Sequence, residues 1–314
     1  MRTEVLLQPA EGRSEQTVAI TRVSRRNPAS STEAVPPLET VTLTESVTLE
    51  EPLEIQLEHG PAGNRTHRSV SVTMRTPGHD RELALGFLLT EGVLGDEVEP
   101  EDLHIAEPEL VDTACGPQPS SGSTRTTGGI VRVTVAPGVP VRTASLERNF
   151  YATSSCGICG KASLAALRSV APPRFRNGLR FDPTLLFQLP ERMYRHQRTF
   201  RRTGGLHAAA LFDAAGHLQR LHEDIGRHNA VDKLVGASFL ADNLPLRGSL
   251  LLLSGRASFE LLQKAVMAGI PAVAAIGAPS SLAIQVAKDF DITLIGFLRD
   301  DHFNIYNGAD RLKS

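Results

Sequence analysis

The 314-residue sequence is poor in cysteine, nearly free of net charge, and without a long uninterrupted apolar run. Each shortage excludes something. Three cysteines, Cys115, Cys156 and Cys159, are too few and odd in number for the disulfide framework of a small secreted domain, which points to a reducing compartment. A formal charge of −2, from 33 basic and 35 acidic residues, gives no global attraction to nucleic acid or to an anionic membrane. Any anion site must come from local placement of arginine and backbone N–H groups. The opening MRTEVLLQPAEGRSEQ has acids and a proline where an export signal would need an apolar stretch, so no such signal is expected. The longest uncharged stretch, between Lys264 and Lys288, is interrupted by Gly269, Pro271, Gly277, Pro279 and Ser280. It reads as a helix end, a buried strand, a turn and a helix start, not as a membrane span. The expectation is a cytoplasmic protein with no membrane or nucleic-acid partner.

What is present is an ordinary globular composition, 41% hydrophobic and 22% charged, over a length that suits one large or two modest domains. The pattern predicts an α/β protein, α+β overall, in three parts. Residues 1–16 read as a disordered tail, 17–150 as a sheet-rich N-terminal domain, and 151–314 as a second α/β domain. In the first domain, Gln16 to Val23, the run from Val41 to Leu57, and Ser69 to Thr76 alternate like strands. Arg25 to Pro37 is polar and proline-rich, a loop. Asp80 is placed to cap a helix that ends near Gly92. In the second domain a helix is expected after Lys161 and another over 185–200. A hairpin turning at Asp213 to Gly216 leads into a helix from Arg227. Then SLLLLSG, PAVAAIGA and ITLIGFLR alternate with two helices, the signature of a parallel sheet covered by helices.

The strongest chemical signal is Cys156-Gly157-Ile158-Cys159-Gly160-Lys161, two thiols immediately ahead of a helix. Helix N-terminal N–H groups and a lysine favour a thiolate, and the glycines open it to a partner. Such a pair suits attack on a persulfide or disulfide sulfur and onward transfer. A zinc site would need two further ligands, and a thioredoxin-type pair should follow the first strand of a βαβ unit. A second signal is a pair of small-residue turns after buried strands. They are Ser254-Gly255-Arg256-Ala257-Ser258 and Ala278-Pro279-Ser280-Ser281, where N–H groups and Arg256 could receive a phosphate and where plain helix caps are the alternative. The third is the polar run from Glu223 to Lys233. It reads either as part of a site or as a solvated helix start, with Asp224 as cap and Asp232 and Lys233 exposed. His207, after Thr203-Gly204-Gly205, is read as a satisfied polar residue.

Taken together, SSCGICGK, TGGLHAAALFD, EDIGRHNAVDKLVG, SGRASFELLQKAVMAGIP and APSSLAIQVAKDF with ITLIGFLR resemble the formate dehydrogenase accessory sulfurtransferase family, FdhD. EEPLEI and ELALGFLLTEGVL in the first half match too, and the likeness runs over about residues 17 to 310. The resemblance implies a sulfur carrier. It would take persulfide sulfur from a cysteine desulfurase and pass it to the molybdenum cofactor, as bis-molybdopterin guanine dinucleotide, before insertion into formate dehydrogenase. By the resemblance Cys156 carries the persulfide and Cys159 is the second thiol. The loop after the last strand, Phe297, Leu298, Arg299, Asp300, Asp301 and His302, holds the cofactor, with Arg256 and Ser280 nearby. A homodimer and a cytidine-deaminase-like second domain are likewise implied. Deaminases carry His-x-Glu and Pro-Cys-x-x-Cys at two helix starts. Here those starts read His228-Asn229-Ala230 and Gly255-Arg256-Ala257-Ser258, without the glutamate or the cysteines, so no resident metal is expected. A cofactor-binding chaperone without covalent chemistry and a zinc-dependent deaminase-like hydrolase are the other readings of the residues.

Overall fold

The computed structural model describes residues 14–25, 38–112, 127–142, 160–172 and 179–313. Cys115, Cys156 and Cys159 lie outside the described residues. So do the expected N-terminal tail up to residue 13 and most of the proline-rich loop.

The first half is built on strands, as its alternation predicts. β1 (Glu15–Arg25) and β2 (Leu38–Thr48) form an antiparallel hairpin. A second sheet contains β3 (Glu51–His59), β4 (Thr66–Arg75), β5 (Leu103–Ile105), β6 (Glu109–Asp112) and β7 (Thr127–Val135). β3 lies between β4, antiparallel, and β7, parallel. Leu53, Ile55 and Leu57 of β3 and Val131, Val133 and Val135 of β7 are fully buried, one face of the pleat turned inward. Each such side chain contributes roughly 2 kcal/mol of burial free energy. The four-residue β6 was not expected from the sequence.

Helix α1 (Asp80–Thr90) crosses from this sheet to the second half. Asp80 does not cap it. The cap position is His79, in the left-handed conformation at φ 58°, with no side-chain capping bond. Asp80 is instead buried against Arg75, which donates to both of its carboxylate oxygens at 3.0 and 2.9 Å and reaches Glu51 at 3.2 Å. A buried guanidinium takes precedence over a cap here, because leaving it unpaired would cost several kcal/mol, on the order of 3–5.

The second half contains α2 (Gly160–Val170), α3 (Pro183–Leu186), α4 (Leu189–His196) and α5 (Phe200–Thr203). The single helix expected over 185–200 is instead the end of α3, all of α4 and the start of α5. Pro190 sits in the first turn of α4, where its missing N–H is tolerated, so the chain restarts there instead of continuing.

β8 (His207–Phe212) and β9 (Leu218–Asp224) form the expected hairpin, and α6 (Arg227–Leu240) follows. β10 (Leu250–Leu253), α7 (Phe259–Met267), β11 (Ala272–Ala275), α8 (Ser281–Asp289), β12 (Thr293–Gly296) and β13 (Asn304–Asn307) complete the chain. Their sheet runs in the order β13-β12-β11-β10-β8-β9. β10, β11 and β12 are parallel, and antiparallel β8 and β13 flank them. Every residue of β10, β11 and β12 is buried. The period of two divides them between two cores. Leu251, Leu253, Val273 and Ala275 face the core shared with α1, α6, α7 and α8, while Leu250, Leu252, Ala272 and Ala274 face α3 and α4.

The polar run after β9 is not a solvated helix start. Asp224, Asp232 and Lys233 are at most 1% exposed. Lys233 Nζ meets Asp224 at 2.7 Å and donates to the Thr76 carbonyl at 2.8 Å. Asn229 donates to the Met74 carbonyl and to Asp224. One turn further, Lys264 of α7 meets Asp232 at 2.9 Å and Glu91 at 2.8 Å, and Thr90 joins at 3.0 Å. These groups dock α1 and the end of β4 onto α6.

Candidate functional site at the carboxyl edge of the second sheet

Parallel strands deliver their following loops to one edge, and here three loops meet: 254–258 after β10, 276–280 after β11 and 297–302 after β12. β8 runs the other way, so its first residue, His207, emerges at the same edge, beside the start of α6. A cleft of about 720 Å³ opens there. His207, Ser254, Ile276, Leu298, Arg299 and Asp300 line one side, and Phe187, Tyr194 and Phe200 the other.

The loops are laced together by their backbones. Gly277 N donates to Gly255 O at 2.9 Å, Ala257 N to Ala278 O at 3.1 Å, and Ser280 N to Ala257 O at 2.9 Å. Phe297 N donates to Gly277 O at 3.1 Å. A Cβ on Gly277 would fall 2.9 Å from the Gly255 carbonyl oxygen, so this close approach requires glycine. Two of the N–H groups that the sequence offered to a phosphate, those of Ala257 and Ser280, are therefore spent between the loops. Ser280 accepts from Ala283 N at 3.1 Å, which makes it the cap of α8. Arg256 is exposed at the rim and does not line the cleft.

Of the loop after β12, Leu298, Arg299 and Asp300 line the cleft, while Phe297, Asp301 and His302 do not. Leu298 is fully buried and anchors the loop. Arg299 holds it by donating Nη1 to the carbonyls of Ile276, at 2.5 Å, and Leu298, at 3.0 Å. Phe297 takes a left-handed φ of 51° and is exposed. Asp301 and His302 pair at 2.6 Å in solvent, and the hydrogen bond from His302 holds the Asp301 carboxyl below its usual range.

Two histidines at this edge stay neutral near pH 7. Burial, and then the Arg227 guanidinium, lower the His207 pKa against the pull of Asp224. Burial, with Lys264 and Arg227, brings His228 down to about 4. His228 Nε2 is 4.0 Å from the Glu260 carboxylate and makes no hydrogen bond, and neither does the buried Nε of Arg227. Glu223 braces the aromatic wall by accepting from Thr199 N at 3.0 Å and Phe200 N at 2.8 Å.

The aromatic wall and the position of His207 were missed in the sequence. Phe187, Tyr194 and Phe200 recur through one segment, a pattern that a predicted helix explains as packing. His207 meets Ser254, 47 residues away, a pairing no local pattern reports. No group of three or more His, Cys, Asp or Glu side chains able to hold a metal occurs among the described residues. No described helix is long and apolar enough to cross a membrane.

The FdhD/NarQ family model matches residues 48–313, which include the Cys156/Cys159 pair and all three loops. The sulfur carrier protein FdhD of Streptomyces coelicolor is 50% identical over 270 residues, covering 85% of this chain and 89% of that protein. The sulfur carrier protein FdhD of Mycobacterium tuberculosis is 48% identical over 278 residues, covering 87% and 93%. A crystal structure from Desulfotalea psychrophila, described provisionally as a formate dehydrogenase accessory protein, superposes with a TM-score of 0.63. It covers 95% of this chain and 99% of that one at 21% identity, a likeness of fold.

Proposed function

This chain belongs to the FdhD/NarQ family, and from that premise we propose that it is a sulfur carrier serving formate dehydrogenase. The Cys156 thiolate attacks the outer sulfur of a cysteine desulfurase persulfide. A new S–S bond forms on Cys156, the donor's S–S bond breaks, and the donor cysteine leaves as thiolate, with no net change in oxidation state. Delivery as sulfide takes two electrons. Cys159 supplies them by closing a disulfide with Cys156 as the outer sulfur leaves, and a cellular thiol then restores the pair.

The acceptor in this reading is the molybdenum cofactor as bis-molybdopterin guanine dinucleotide, with its nucleotide part in the cleft. The fit is chemical. Tyr194 and Phe200 offer apolar ring surface, and Arg299 on the facing wall is cationic. Arg256 and Ser280 stand outside the lining, and Leu298, Arg299 and Asp300 of the loop from Phe297 to His302 form one wall. The division into domains at 17–150 and 151–314, a deaminase-like scaffold for the second of them, a homodimer and a cytoplasmic location complete the proposal. The hairpin β8–β9 leading into α6, then β10, α7 and β11, supports the scaffold, with His228 and Arg256–Ser258 at the starts where a deaminase holds zinc.

The observation that carries the reading is the Cys-x-x-Cys pair ending at Cys159, immediately before α2, in a chain half identical to named sulfur carriers. Leu164 and Leu167 of α2 are buried in the main core, so the residue after the pair begins an anchored helix. The test is complementation of a strain lacking this protein. Cys156→Ser should leave formate dehydrogenase inactive, with its polypeptide present. Full activity from a Cys156→Ser/Cys159→Ser double variant would refute sulfur carriage and leave a cofactor-binding chaperone.

A further inference from the structure

The β1–β2 hairpin stands uncovered for most of its length. It is a ribbon of two 11-residue strands, and none of its described side chains is buried. Its base rests on α5, where Thr48 Oγ1 donates to Thr203 at 2.8 Å and Arg202 Nε donates to Glu15 at 2.9 Å. Neither strand joins the two larger sheets. A two-stranded hairpin by itself is marginal in water and needs a third strand or a packed face to persist. The family match begins at residue 48, so the ribbon lies ahead of it, and the sulfur chemistry makes no use of it.

The two faces of the ribbon differ. Opposed residues of an antiparallel pair share a face. One face carries Thr21, Thr40, Thr42 and Thr44, with Glu15 and Thr48 at the base on α5. It suits water, and its large apolar side chains, Val23 and Leu38, stand only at the tip. The other face carries three rows in succession: Val18 with Glu45, Ile20 with Leu43, and Arg22 with Val41. Val18, Ile20 and Leu43 are half-buried and Val41 is exposed, so this apolar stripe has no cover. Such a stripe on a projecting element marks a contact surface.

The order of the rows says which partner fits. The middle row is apolar on both strands, and each flanking row joins one apolar residue to one charge, of opposite sign on the two sides. Two such faces can stack about a two-fold axis that crosses the strands at the middle row. Apolar row then meets apolar row, and each Arg22–Val41 row faces the partner's Val18–Glu45 row. At the usual spacing of about 10 Å between stacked sheets, an arginine and a glutamate in facing rows reach one another. Within one ribbon Arg22 and Glu45 are 3.7 Å apart, too far for a hydrogen bond, and both are half-exposed. A two-fold contact requires a patch to match itself, and this one does.

We propose that this face of the β1–β2 ribbon packs on the same face of a second copy of the chain, with Ile20 and Leu43 at the axis and Arg22 of each copy paired with the partner's Glu45. This rests on the homodimer in the reading above and assigns its contact.

Sedimentation equilibrium of the full chain is the measurement, with urea unfolding of each variant to establish that it is folded. The parent should be a dimer. Ile20→Asp should weaken association about a hundredfold, because two carboxylates meet at the axis. Arg22→Glu and Glu45→Arg should each weaken it about tenfold or more, because like charges then face each other in both flanking rows. Arg22→Glu chains mixed with isotope-labelled Glu45→Arg chains should form heterodimers, seen by native mass spectrometry, with about the parent affinity. Each ribbon in that mixture carries a like-charged pair of its own, so a pairing confined to one ribbon gives no such preference. A dimer unchanged by Ile20→Asp, or a mixture that associates no better than either variant alone, would overturn this contact and leave the homodimer to another surface. A monomeric parent would overturn the homodimer and this contact together and leave the face to a different protein. Sulfur carriage stands or falls separately, on Cys156.

Discussion

Gly86 of α1 lies so close to Asp232 of α6 that a Cβ on it would fall 1.8 Å from the Asp232 carbonyl oxygen. Across the same contact, a Cβ on Gly236 would fall 1.9 Å from the carbonyl oxygen of Glu82. The two helices meet backbone to backbone through a glycine on each, and this contact brings Thr90 and Glu91 to the buried lysine of α7. Backbone cannot yield as a side-chain tip can, so Gly86→Ala and Gly236→Ala should each destabilise the fold by at least about 2 kcal/mol in urea unfolding. Values near zero would mean that the helices are not in contact there.

The ion cluster beneath that contact gives a second expectation. Lys264→Met strands the Asp232 and Glu91 carboxylates in a site where Lys264 is 3% exposed. The loss should be about 3–5 kcal/mol. Adding Asp232→Leu to Lys264→Met should recover a large part of it, because the cost comes from the unpaired charge. A double variant no better than the single one would contradict this.

Acid sensitivity should come from His222. It is 7% exposed, and its ring stands edge-on to His79 at 4.7 Å. Burial, followed by the charges of His79, Lys233 and Arg220, holds its pKa well below the usual histidine value. The unfolded chain therefore takes up this proton first as the pH falls. The stability is fully present above about 6.5 and is lost below it, until the folded group also titrates, with a slope of up to about 1.4 kcal/mol per pH unit. Urea unfolding between pH 7.5 and 5 should show this decline, and His222→Gln should flatten it. An unchanged slope in the variant would assign the sensitivity elsewhere.

Arg299 should matter more for shape than for charge. Its guanidinium spans two backbone carbonyls that fix the loop after β12. Arg299→Lys keeps the charge but cannot make that planar two-carbonyl grip. It should raise amide hydrogen exchange in 297–302 and weaken guanosine diphosphate binding about as much as Arg299→Ala does. Retained protection in the lysine variant would show that charge alone suffices.

The legible parts of this fold were those whose cause is local. β10, β11 and β12 are continuous apolar runs because both faces are covered, and Asp213 to Gly216 carries the turn chemistry of its hairpin. β6 and β13 were not legible, since four-residue edge strands carry too few side chains to establish a period. Asp224, Asn229 and Lys233 were ambiguous because their partners, Met74 and Thr76, lie about 150 residues earlier. The cysteine pair is read from its spacing and from the family resemblance together, and it lies outside the described residues. The aromatic wall and His207 were not legible, because a site assembled across the sheet edge draws on segments whose individual patterns serve packing equally well.

The central claim is that a sulfur atom rides on Cys156, and intact-protein and peptide mass spectrometry after incubation with a cysteine desulfurase and cysteine tests it most directly. The parent chain should gain the mass of one sulfur atom, mapped to Cys156, and Cys156→Ser should not. The same adduct forming to the same extent on Cys156→Ser would contradict the assignment.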